Sequence, residues 1–432
     1  MLYTQTITSE SIILLELAVA LLAGLLMSRL AKLINLPAVT AYLVAGILIG
    51  PCVLGRLGVV GFGFTSFSAI EGYTILSDAA LGFIAFSIGN EFRLADLKKI
   101  GKQATVVATI QALMATLVVD AVLLACYFLF WKDSISVAAC ITLGAIASAT
   151  APAATLMVVR QYKAKGPVTK MLLPVVALDD ALGLMIFAIS FGIAKALALG
   201  EADLISILVN PLIEIVLSLL LGALMGVIFS QVEKMFHSRS KRLAISVTFV
   251  LLTVAISMIE INLGRVTLSF STLLVCMMLG TVFCNMCDFS EELMRHSERW
   301  ATPLLVLFFV LSGAELDFAV LASGTVVLIG IAYILSRSAG KIFGATLGAE
   351  LMHTEPTIKK FLGITLLPQA GVALGMSLEA KSLGADGDLI RNIVLFGVLI
   401  YELIGPSLTR MSLLKAGEID PEARTSSRGK TV

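Results

Sequence analysis

The chain has 432 residues, 58% of them hydrophobic and only 14% charged, with a net charge of +1. Soluble domains carry about 45–50% apolar and about 25% charged residues, so a water-soluble core of this length is excluded. The near-neutral charge excludes a bulk basic field for nucleic acid. No stretch is long and polar enough for a soluble enzymatic domain, so no enzyme and no cofactor are expected.

Runs of about 18 or more nearly uncharged residues each predict a membrane-crossing helix. Hydropathy predicts thirteen, at 11–28, 38–54, 73–90, 105–128, 135–158, 172–193, 205–230, 243–260, 267–285, 302–313, 322–346, 358–380 and 389–410. The fold class is therefore an all-α membrane protein embedded in a lipid bilayer. The run at 302–313 is unusually short. The polar segment 412–432 reads as a disordered tail. Most of the 31 basic residues fall in every second loop, such as Arg93, Lys98, Lys99 and Lys102 after the third span. The intervening loops hold few, such as Arg56 and Lys132. This bias predicts the N-terminus outside and the C-terminus in the cytoplasm. Cys284 and Cys287 form a lone CxxC without a second pair or a nearby histidine, so they read as small apolar side chains rather than a zinc site.

Ionisable groups in hydrocarbon are expensive, and each one needs a reason. The sixth span, PVVALDDALGLMIFAIS, carries Asp179 and Asp180 near its middle. Adjacent helical residues point about 100° apart, so the two carboxylates face different neighbours. One can bind a cation while the other meets a basic partner. A buried carboxylate that holds either a proton or a cation is the physical core of antiport.

The eleventh span holds two basic residues well inside a predicted run, Arg337 and Lys341, whereas the others within the runs sit close to run ends. They are spaced i and i+4 and share a helix face. An intramembrane cation most simply pairs with an intramembrane anion, and Asp179 is the candidate. Arg337 is the more central, and Lys341 is long enough to reach the inner surface instead. Either remains a candidate counter-charge. Arginine stays protonated, whereas a buried lysine can release its proton.

Two spans look broken. The fifth reads TLGAIASATAPAATLMVV, with Ser148 and Thr150 just before Pro152; the twelfth reads GITLLPQAGVALGMSL, with Pro368, Gln369 and Gly371 together. Proline removes a backbone donor, and interrupted helices occur in membranes where they line a cavity. The two breaks are seven spans apart, so their helices cross in opposite directions. That is the arithmetic of an inverted repeat with two crossed discontinuous helices, which points to a midplane ion site. Asp120 and Glu402 are further acids inside spans, read as second-layer or structural groups.

Taken in order, LPAVTAYLVAGILIGP, GAIASATAP, LDDALG, LLPQAGVALG and ELIGP resemble the monovalent cation:proton antiporter superfamily. The likeness is closest to bacterial Na+/H+ antiporters with a paired-aspartate motif. That resemblance implies an elevator-like, electrogenic exchange of Na+, or of K+ or Li+, for H+. It implies a homodimer in the bacterial inner membrane. It assigns Asp180 as the cation and proton carboxylate and Asp179 as the residue paired to a basic side chain, with the backbone and hydroxyl near Thr150 and Ser148 completing the site. It further implies a dimerisation domain over 1–100 and 201–315 and an ion-transport core over 101–200 and 316–411. Two departures stand out: Ala151 where many relatives carry Ser or Asp, and Arg337 where paired-aspartate relatives often carry Lys.

Three other readings compete with antiport. A cation-coupled symporter would be expected to have a larger, partly aromatic pocket, yet the chain has only two tryptophans. A channel would need a carbonyl-rich filter segment, and none is visible. An intramembrane aspartyl protease needs its two acids on different helices.

Overall fold

The computed structural model describes residues 9–33, 38–59, 62–94, 101–132, 134–151, 155, 158–159, 162–198, 204–259, 261–263, 266–268, 270–287, 289–318 and 323–419. The helices that matter below are α1 (Ser9–Leu33), α2 (Ala38–Ile49), α3 (Thr74–Glu91), α4 (Lys102–Cys126), α5 (Val137–Ala147), α6 (Pro167–Ala198) and α7 (Leu204–Lys234). They continue as α8 (Arg239–Ser257), α9 (Thr272–Met286), α10 (Ser290–Ala314), α11 (Gly324–Leu351), α12 (Pro356–Thr365), α13 (Gly371–Glu379) and α14 (Ala385–Lys415). A small antiparallel hairpin, Ile261–Leu263 with Val266–Leu268, joins α8 to α9 and pairs Asn262 with Thr267. Among the described residues the predicted spans fall largely on helices or on interrupted helices, and the span predicted from 267 opens in the hairpin strand Val266–Leu268. Among the described residues, eight helices are long and apolar enough to cross a membrane. Exposed leucines such as Leu22, Leu26 and Leu30 on α1, and Leu220 and Leu224 on α7, suit a lipid-facing surface.

One pattern occurs twice: an uninterrupted helix, an interrupted one and another uninterrupted one. The first copy is α4, α5 with the helical residues after it, and α6; the second is α11, α12 with α13, and α14. The two copies face each other, with α11 lying along α4. The sequence permits this closeness through Gly340, Gly344 and Gly348, one per turn of α11. A Cβ at these positions would stand 2.8 Å from the Ala115 Cα, 2.7 Å from the Gln111 Cα and 2.9 Å from the Val107 Cα. Small residues repeated every fourth position let membrane helices touch backbone to backbone. The remaining helices form a second group, with α2 packed on α1 and α10, and α9 packed on α3 and α7.

α10 runs well beyond the predicted 302–313. Its first half, SEELMRHSERWA, is too charged to register as a membrane span, but Glu291 and Glu292 in its first turn favour the helix by facing its positive end.

Candidate functional site

The two interrupted helices meet at their breaks. α5 begins at Ser136, whose hydroxyl accepts from Ala139 N at 3.0 Å, and it stops at Ala147. Residues 149–151 are not helical, and helix is described again at Thr155. α12 stops at Thr365, and α13 restarts at Gly371 after the Pro368–Ala370 segment. Ala151 N donates to Pro368 O at 2.8 Å, which ties one break to the other. Pro152 lies outside the described residues.

A helix that ends inside a membrane leaves its last carbonyls without partners, and each orphan is costly there. Side chains collect them here. Gln369 Nε2 donates to Ile146 O at 3.0 Å, Arg337 Nε to Ala147 O at 3.0 Å, Lys341 Nζ to Ser148 O, and Arg337 Nη2 to Ala149 O at 2.6 Å. The second break is served likewise. Arg337 Nη1 donates to Leu367 O at 2.7 Å, Thr155 Oγ1 to Thr365 O at 3.1 Å, and Thr150 Oγ1 lies 3.3 Å from Leu366 O. The Arg337 guanidinium also lies over the Tyr401 ring, 4.4 Å from its centroid.

Asp179 is fully buried in the middle of α6. Its Oδ2 pairs with Lys341 Nζ at 2.8 Å and accepts the Thr150 hydroxyl, while Oδ1 accepts from Gln111 Nε2. Lys341 Nζ also donates to Thr150 Oγ1 at 2.7 Å. Both partners of the ion pair are 0% exposed. A buried pair is tolerated only where further hydrogen bonds meet its remaining lone pairs and protons, and Gln111 of α4 with Thr150 and the Ser148 carbonyl at the break supply them here.

The counter-charge of Asp179 is therefore Lys341, not the more central Arg337. α11 continues to Leu351, five residues beyond the predicted end, so Lys341 lies ten residues inside its helix, and its side chain is fully buried against Asp179. Arg337 lies one turn away and holds backbone carbonyls instead. Ser148 contributes its carbonyl rather than its hydroxyl, which donates to Ala145 O at 2.7 Å on its own helix. Asp180 is the next residue of α6, and its side chain lies outside the described set. Gly371 opens α13 at the crossing.

Asp120 and Glu402 stand apart from this cluster. Asp120 rests against α5 at Gly144, where a Cβ would strike its carboxylate. Glu402 accepts only a long hydrogen bond, 3.4 Å, from Thr40 on α2. Gln111 was missed by sequence reasoning. An amide in the middle of VVATIQALMATL was the available signal, since polar groups at membrane depth need partners.

A cavity of about 320 Å³ ends at this crossing, with room for about ten waters. Thr150, Ala151, Ala370 and Gly371 form its floor, and α3 and α10 form the facing wall. Thr150 thus touches the cavity on one side and Asp179 on the other.

Residues 17–415 match the family described as sodium/hydrogen exchanger, transmembrane. The fold is similar to the structure of the sodium proton antiporter MjNhaP1 from Methanocaldococcus jannaschii at pH 8. That likeness has a TM-score of 0.70 at 20% identity and covers 93% of this chain and 97% of that one. A three-dimensional electron-microscopy map of the same protein gives a TM-score of 0.65 at 18% identity, covering 94% and 98%. No curated protein sequence matches the chain.

Proposed function

Because the chain belongs to the sodium/hydrogen exchanger family, we propose that it is a secondary antiporter exchanging a monovalent cation for protons at Asp179 and Asp180. Na+ is the first cargo and K+ the second. The observation that carries this reading is a buried Asp179–Lys341 pair directly behind the floor of a cavity, with Thr150 standing between the pair and the open space. Carboxylate, hydroxyl and carbonyl oxygens are hard ligands of the kind an alkali cation prefers.

The chemistry follows from the partners. A cation that binds the Asp179 carboxylate takes the place of the Lys341 ammonium. Left without a counter-charge in a dry site, Lys341 gives up its proton, which an arginine would not do. Asp180 exchanges a second proton. Two protons against one monovalent cation make the cycle electrogenic. α4–α6 and α11–α14 act as the moving core, and α1–α3 with α7–α10 act as the dimerising scaffold. The cavity lies between these groups, on the side that the basic loops mark as cytoplasmic, which suits an elevator open to the inside. The protein works in this account as a homodimer in a bacterial inner membrane, N-terminus out and C-terminus in.

Asp180→Asn should abolish exchange in proteoliposomes assayed with Na+, K+ and Li+ in turn. Wild-type rates in that variant would overturn the assignment.

A further inference from the structure

The cavity walls are mostly apolar, with Phe83, Ile84 and Leu305 facing the space through which a cation must pass. Among the described residues one acid lines it, Glu298 of α10. Its Oε1 accepts the Ser87 hydroxyl of α3 at 3.1 Å. Among the described residues no ion pair engages Glu298. Arg295 and Arg299, its nearest basic neighbours along α10, are exposed. The preceding residue, Ser297, is 2% exposed and also lines the cavity, and its Oγ has no hydrogen-bond partner among the described residues. A buried hydroxyl left without a partner is unusual in a native structure and calls for a ligand or water. Glu298 and Ser87 therefore meet on one stretch of wall, and the unsatisfied Ser297 hydroxyl lies buried within the same wall.

We infer that Glu298, Ser297 and Ser87 form a second cation station, where a hydrated monovalent cation rests between the inner solution and the Asp179 site. This inference rests on the antiport reading and adds to it. The station lies on α3 and α10, the fixed scaffold of that reading, whereas Asp179 and Thr150 lie on the core. When the core carries its cargo across, the station stays behind. Glu298 therefore serves loading and release on the cavity side alone. A charge in a low-dielectric cleft raises the local counter-ion concentration by about 10-fold or more, and salt weakens the effect.

The test is exchange measured from each side separately, in inside-out and right-side-out membrane vesicles, with Na+ as the probe. Glu298→Gln keeps the side-chain size at an exposed position. It should raise the half-saturating Na+ concentration on the cavity side about three- to tenfold. The opposite side and the maximal rate should not change, and added choline chloride should shrink the difference. Ser87→Ala should give a smaller shift on the same side. An equal shift on both sides, or no shift in either variant, would overturn the station while leaving antiport intact. A wild-type protein that exchanges no cation for protons from either side would instead overturn the antiport reading, and the station with it.

Discussion

Two neighbouring turns of α11 carry the same charge and use it differently. At Arg337 the guanidinium meets three backbone carbonyls, those of Ala147, Ala149 and Leu367. At Lys341, about 6 Å further along the helix axis, the ammonium meets one backbone carbonyl, that of Ser148, and the Asp179 carboxylate. The first turn closes off broken helix ends, a task that suits a permanently charged, multi-donor fork. The second turn holds a carboxylate, which in the proposed cycle is the partner exchanged for the cation. Both cations hold carbonyls of the broken helix, but only Lys341 also meets a carboxylate, and that is where the proposed chemistry resides.

The largest effect should come from removing the architectural cation. Arg337→Ala leaves three buried carbonyls unpaired, and hydrogen bonds to charged groups are worth about 1.5–3 kcal/mol each. The variant should lose several kcal/mol and fail to accumulate as a folded protein, read out by thermal unfolding in detergent. A normally stable variant would erase the distinction between the two turns.

The glycine contact that holds both turns against α4 should come next. Gly344→Leu forces a side chain onto the Gln111 Cα, where a Cβ alone would stand at 2.7 Å. Overpacking costs about 1–3 kcal/mol. Stability and exchange should fall together, and an unaffected variant would show that the close approach is dispensable.

Gln111→Leu should have the smallest effect, because Asp179 keeps Lys341 and Thr150 when the amide is removed. Exchange should persist with an altered apparent cation affinity, measured by Na+ titration of proteoliposomes. Complete loss would promote Gln111 from an orienting group to an essential one.

Much of the fold was legible in the sequence because apolar runs reveal membrane helices and prolines beside small polar residues reveal breaks. What stayed hidden was register. Arg337 and Lys341 share a face, and which of them meets Asp179 depends on where α11 ends. Hydropathy placed that end at 346 rather than Leu351. The first half of α10 was hidden for the opposite reason: its charges lowered the hydropathy of a helix that nevertheless continues and lines the cavity with Ser297 and Glu298. Gln111 escaped notice because a neutral amide barely disturbs a hydrophobic run.

The claim that the lysine turn carries exchangeable charge is tested most directly by Lys341→Arg. This variant keeps a cation beside Asp179 but cannot release a proton. Exchange should be followed in proteoliposomes with an imposed membrane potential. The wild type should respond to the potential, and the variant should turn over with little response or stop altogether. A variant whose rate follows the potential as the wild type does would contradict the account.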